Sequence, residues 1–230
     1  MSPAPDQERT ERLAEQHRRE IVDAVERLVT EKGLHQLTLR AIAQESGKSL
    51  GNLYNYFRNK EAIIEALIER EKGRFLAVAS KRVEPREGED YKVMLRRQLE
   101  QIADAYMDPD SLRIAIFVAS EALVNPKVRD IMVAANRRIV EHVIELIHQD
   151  PHCPIKDLSR DVLEARVITI RTFFEALRGA AAFYPHVDRE LFKQVTIERL
   201  LLIWTWERAQ SRGVTLDEFV KPQADDSNHG

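Results

Sequence analysis

The chain has 230 residues, 43% apolar and 32% charged, with 8 Gly, 9 Pro, one Cys and a formal net charge of −3. That length suits one large domain or two small ones, and so little Gly and Pro beside abundant Leu, Ala, Glu and Arg argues against an all-β chain. No apolar run nears the ~18 residues of a membrane span, the polar residues 1–20 show no secretion leader, and Cys153 alone excludes an internal disulfide framework, so a helical protein of the reducing cytoplasm is expected.

Residues 1–10 carry two Pro and no apolar period, which predicts a tail, flexible at least over 1–8. From 11 to 32 the apolar residues Ile21, Val25, Leu28 and Val29 fall at helical spacing, with Gly33 as the stop. Leu37 and Thr38 then provide a staple and an N-cap for a short helix in which Leu39, Ile42 and Ala43 share one face. Gly47 ends it. Ser49 caps a third helix over 50–57, with Leu53, Tyr54 and Phe57 expected inward, and Asn59 caps a fourth over 60–81 whose stripe is Ile63, Ile64, Leu67, Ile68 and Phe75. Residues 83–90 form a polar break with Pro and Gly. Beyond it, 91–107, 111–124, 127–149, 159–184 and 188–212 all read as helices, and 222–230 as a fraying end.

Two short helices joined by Gly47-Lys48-Ser49, behind a longer supporting helix, have the outline of a helix-turn-helix. Ala41 and Ala43 are small enough for the second helix to approach closely, and Gly47 frees the turn. The polar edge of that second helix is Ser49, Gly51, Asn52, Asn55 and Tyr56. Gly51 lets backbone approach a groove, and an Asn amide can pair bidentately with adenine N6 and N7. Thr38, Arg40, Tyr54 and Lys60 flank the edge as phosphate contacts. Residues 38–60 hold Arg40, Lys48, Arg58 and Lys60 against Glu45 alone, a local charge of +3 in a chain that is acidic overall.

Residues 18–64, above all LTLRAIAQESGKSLGNLYNYFRNKEAII over 37–64, resemble the DNA-binding domain of the TetR/AcrR family of bacterial transcriptional regulators. Within them, 53–61 match the family's L-Y-x-Y/H-F-x-x-K-E/D pattern position by position. The resemblance implies that Thr38, Arg40, Leu50, Gly51, Asn52, Tyr54, Asn55, Tyr56 and Lys60 contact operator DNA. Leu50 departs from the polar residue common there, so a thymine methyl is its expected partner. It further implies an all-α protein, with a three-helix helix-turn-helix domain over 9–59, a connecting helix over 60–81, and a helical domain over 82–221. The last would bind an effector and form a homodimer.

The C-terminal helices carry no comparably sharp motif. Helices 159–184 and 188–212 are apolar on more than one face, which fits burial against both their own subunit and a partner. An apolar pocket with a few polar groups would draw on Tyr106, Phe117, Glu121, Met132, Asn136, Phe173 and Trp204. Arg171, Glu175 and Arg178 have the spacing of surface ion pairs.

Catalytic signatures are missing: there is no G-x-S-x-G, no P-loop, no H-E-x-x-H and no G-x-G-x-x-G. His148, Asp150, His152 and Cys153 are metal-binding residue types, but their spacing closes no zinc site. We therefore expect no enzyme, no cofactor and no metal. The expected function is a cytoplasmic, ligand-responsive repressor that binds a pseudo-palindromic operator as a dimer. The alternative is a helical ligand-binding or interaction module without operator specificity.

Overall fold

The computed structural model describes residues 5–32, 37–81, 83–84, 86–151, 153, 155–210, 212–215 and 218–219. Among them nine α-helices and no strand occur: α1 (Pro5–Arg27), α2 (Leu39–Glu45), α3 (Leu50–Tyr56), α4 (Lys60–Ser80), α5 (Tyr91–Tyr106), α6 (Pro109–Val124), α7 (Pro126–Gln149), α8 (Arg160–Phe183) and α9 (Arg189–Gln210). The all-α expectation is met. Helix α1 begins within the stretch expected as a tail, with Pro5 at its first position, where a missing N–H costs nothing. It closes in a π-helical turn, Leu28–Lys32, that buries Leu28 and Val29. Gly33, His35, His152, Pro154, His229 and the 222–230 end lie outside the described residues.

Helix starts follow side-chain chemistry, each cap oxygen accepting from an N–H three residues on. Thr38 Oγ1 accepts from the Ala41 N–H at 3.1 Å, Ser49 Oγ from the Asn52 N–H at 3.1 Å, and Asn59 Oδ1 from the Ala62 N–H at 2.8 Å. Asp108 caps α6 on the Ser111 N–H at 3.0 Å, with Pro109 opening the helix. Helix α2 ends in a Schellman arrangement. The Lys48 N–H reaches Ala43 O at 2.9 Å and the Gly47 N–H reaches Gln44 O at 3.2 Å. Gly47 sits at φ 66°. A side chain would oppose that left-handed backbone.

The chain divides into two compact units, residues 1–79 with 105–139, and 80–104 with 140–230. The first has one core, in which Ile21, Val25 and Leu28 of the α1 region meet Ile42, Leu53 and Phe57. Ile63, Ile64, Leu67 and Ile68 of α4 join them, as do Ile114, Phe117 and Val118 of α6. Phe75 is only half-buried and sets its ring edge-on to Tyr106 at 5.2 Å. The expected segments 9–59, 60–81 and 82–221 divide the chain by role. The core groups it by contact, so α6 and the first half of α7 share an interior with the N-terminal helices.

In the second unit Val140 and Ile144 of α7 pack with Ile155, Leu163 and Val167. Arg171 and Arg178 correct the surface reading of these residues: only 15% and 14% of their side chains is exposed, with Glu175 at 3.9 and 3.6 Å. The two Arg lie on the side of α8 that also buries Phe174 and Leu177, while Glu175 stays at the edge. Asp150 accepts from the Tyr91 hydroxyl at 2.5 Å, and no metal-binding group of three occurs among the described residues.

Candidate nucleic-acid interface

Helix α3 is one cap-to-cap segment of seven residues, and its two faces are chemically distinct. Leu53 is fully buried and Phe57, four residues on, is 1% exposed, so this pair anchors the helix. Ser49, Leu50, Gly51, Asn52, Tyr54 and Asn55 are all exposed. Tyr54, expected inward, instead stands out at 48% exposure. The reason is angular, since it lies about 100° round the helix from Leu53. Leu50 is 38% exposed, an outward apolar residue on an otherwise polar edge. Beyond its chain neighbours and its own helix backbone, no atom lies within 4 Å of where a Gly51 Cβ would stand, so the rest of the unit leaves this backbone open.

Thr38 and Arg40 are both exposed at the start of α2, and Arg58 is exposed beyond Phe57. Tyr56 is different: half-buried, it packs on the core and tilts against the His17 ring at 5.4 Å. Its carbonyl accepts from Arg18 Nη1 at 2.9 Å, and the Arg18 guanidinium sits 4.7 Å from the Phe57 ring centroid. Helix α1 thus clamps the end of α3.

Two of the four local cations are committed inside the unit. Lys48 Nζ lies 2.7 Å from Glu20 Oε2 and 2.9 Å from His17 Nδ1, with only 10% of its side chain exposed. Hydrogen bonds to Glu20 from Lys48, then His17, then Gln16 hold its carboxyl at about 2, against an ordinary 4.5. Lys60 Nζ is 3.2 Å from Glu121 Oε1, with 34% of its side chain exposed. Neither His17 nor Glu20 stands out in the sequence, because nothing local links them to a turn 28 to 31 residues away.

Of the residues considered for an effector pocket, Tyr106, Phe117, Glu121, Met132 and Asn136 belong to the first unit, Phe173 and Trp204 to the second. Phe117 and Tyr106 are buried, and Met132 packs against the same core as Phe117. Asn136 Oδ1 is buried and has no hydrogen-bond partner among the described residues. Phe173 is half-buried, and the Trp204 indole tilts against Tyr91 at 5.3 Å.

Residues 21–67 match the family model for bacterial regulatory proteins of the tetR family. Over 57 residues, a quarter of this chain (25%) and 29% of the relative, the sequence is 37% identical to the fatty acid metabolism regulator protein of Bacillus subtilis. It is 28% identical to the HTH-type transcriptional regulator UidR of Escherichia coli over 133 residues, 57% of this chain and 65% of that protein. The matches thus span less than two thirds of either relative's length. The fold is similar to that of GusR from Salmonella enterica (TM-score 0.63, 20% identity, 83% of this chain and 96% of that one). It is also similar to a TetR-family regulator from Rhodococcus sp. (TM-score 0.63, 18% identity, 82% and 99%). The capped α2–turn–α3 pair, its outward polar edge and the family match agree: residues 21–67 form an N-terminal domain of the tetR family of bacterial regulatory proteins.

Proposed function

We propose that this protein is a cytoplasmic, ligand-responsive repressor that binds a pseudo-palindromic operator as a homodimer. The observation that carries the reading is the outward edge of α3, where Ser49, Leu50, Gly51, Asn52, Tyr54 and Asn55 are all exposed on a helix anchored by Leu53 and Phe57. Asn52 and Asn55 read base edges, Leu50 meets a thymine methyl, and Gly51 admits close approach. Thr38, Arg40, Tyr54 and Lys60 hold phosphates, and Tyr56 contributes from the clamped end of the helix. The protein acts by binding rather than by catalysis.

Dimerisation is supported by the outward apolar residues of α8 and α9, where Ile168, Leu191, Val195 and Leu202 are all exposed. The partner covers them, and the two α3 helices then enter successive major grooves roughly 34–36 Å apart. The effector engages the first unit's Tyr106, Phe117, Glu121, Met132 and Asn136, with the unpaired Asn136 Oδ1 accepting a hydrogen bond from it. Binding shifts α4 and releases the operator, a coupling of about 1–3 kcal/mol or 5–150-fold.

Selection of bound duplexes from a random library at ~0.15 M salt tests this reading. An enriched inverted repeat is the expected result. Salt-dependent binding with no enriched sequence would overturn it in favour of a helical module without operator specificity. Val195→Glu should yield a folded monomer by sedimentation, and an unchanged oligomer would remove α9 from the interface.

A further inference from the structure

The ring of His17 in α1 reaches both ends of α3. At the near end its Nδ1 lies 2.9 Å from Nζ of Lys48, the residue before the Ser49 cap. At the far end the ring tilts against Tyr56, the last residue of the helix, at 5.4 Å. One side chain thus brackets about 10 Å of reading helix. The same Nδ1 is 3.1 Å from Glu20 Oε2, which accepts from Lys48 Nζ at 2.7 Å. Gln16 donates to the other Glu20 oxygen at 3.0 Å. The titratable and charged groups against the ring are therefore Glu20 on its own helix, Lys48 from the turn and the Tyr56 phenol of α3. Arg18, next in α1, donates to the Tyr56 carbonyl at 2.9 Å.

An ammonium only donates, so the Lys48 contact requires a free lone pair on Nδ1 and hence an uncharged ring. A charged ring carries a proton there. Its N–H turns to Glu20, and it meets the Lys48 ammonium with a like charge. Lys48 has only 10% of its side chain exposed, so little water replaces the lost acceptor. The imidazole is 31% exposed, and protons reach it. We propose that His17 is a positioning residue for α3, holding the helix while its ring is uncharged and releasing it on protonation. The consequence for operator recognition rests on the proposed function, whereas the release of the helix does not.

Amide hydrogen exchange of the full chain without DNA tests this at about pH 8 and about pH 5, the span in which imidazoles charge. Glu20 stays ionised throughout, since its carboxyl is held at about 2. The Leu53 N–H bonds to Ser49 O and the Phe57 N–H to Leu53 O, each at 3.0 Å. Corrected for intrinsic exchange, their protection should fall about tenfold in acid, the worth of one hydrogen bond. His17→Gln, whose amide oxygen accepts from Lys48 but takes no proton, should keep that protection at both values. His17→Lys, charged throughout, should lack it at both. The Asn125 N–H, bonded to Glu121 O in α6, is the control.

On DNA, the ratio of operator to scrambled-duplex affinity should fall about tenfold over the same span, and hold in His17→Gln. An imidazolium attracts all DNA alike, and the ratio cancels that attraction. The proposal is overturned by protection that does not change with pH, by an equal fall in His17→Gln, or by a constant ratio on a selected operator. A selection that returns no operator overturns the DNA reading alone, and exchange then decides the role of His17.

Discussion

Lys60 and Glu121 lie 61 positions apart in sequence, yet Lys60 Nζ is 3.2 Å from Glu121 Oε1, joining the first residue of α4 to the last turn of α6. One turn along the same junction, Asn125 Nδ2 donates to Glu61 Oε1 at 3.2 Å. A lysine placed by the sequence motif beside DNA phosphates is thereby shared with a carboxylate of its own unit. On the proposed reading, operator phosphate and Glu121 compete for one cation.

That competition can be measured. Lys60→Ala should weaken binding to every DNA sequence and reduce the slope of log K against log salt by about 1. Glu121→Gln should do the reverse, tightening binding by a few-fold and steepening the slope. Fluorescence anisotropy across a KCl series checks both, and a Glu121→Gln protein with unchanged affinity and slope would show that the pair does not restrain Lys60.

Asn52 and Asn55 should behave differently from the lysine. Each is exposed on α3. Alanine at either should cost about 1–3 kcal/mol at particular base pairs while leaving binding to unrelated DNA intact. Affinities for single-base operator variants separate the cases. A uniform loss across all variants would assign the Asn concerned to phosphate.

Gly47 tests the turn between α2 and α3. Its φ is +66 and nothing lies within 4 Å of an added Cβ, so the cost of Gly47→Ala is purely conformational. That cost should be about 1–2 kcal/mol, visible as a lowered Tm. Gly47→Asn should recover part of it, because Asn tolerates the left-handed region better. Equal losses in the two variants would mean that something other than backbone conformation sets the cost.

Acid should loosen the α1–turn contact. The Glu20 carboxyl is held at about 2 in the fold against an ordinary 4.5, chiefly by its hydrogen bond to Lys48. A group whose folded value is depressed adds stability above its unfolded value and loses it as pH falls through the folded value. The contribution should therefore be intact above pH 4.5 and decline from there towards about 2. Glu20→Gln should have a shallower loss of Tm across that window than the unmodified protein. Parallel curves would show that Glu20 is not a source of the acid sensitivity.

Much of the local structure is legible from adjacent residues. Thr38, Ser49 and Asn59 read as N-caps and act as N-caps, because a short side-chain oxygen reaches an N–H three residues on whatever surrounds it. The stripe Ile63, Ile64, Leu67 and Ile68 reads as inward and is buried, since helical periodicity alone assigns it a face. The outward placement of Tyr54 was within reach too: once Leu53 and Phe57 claim the inner face, the intervening Tyr54 must leave it.

The sequence by itself therefore determined the all-α class, the caps, the turn at Gly47 and the exposed polar edge of α3, all of which depend on neighbours within a few positions. Only the tertiary structure decided which of those residues are at liberty. It bound Lys48 to Glu20 and His17, bound Lys60 to Glu121, covered Tyr56 with His17, and sank Arg171 and Arg178 into their unit. The reason is physical: charge pairing and ring packing depend on distances in space, and a pair 28 to 61 positions apart leaves no periodic trace along the chain.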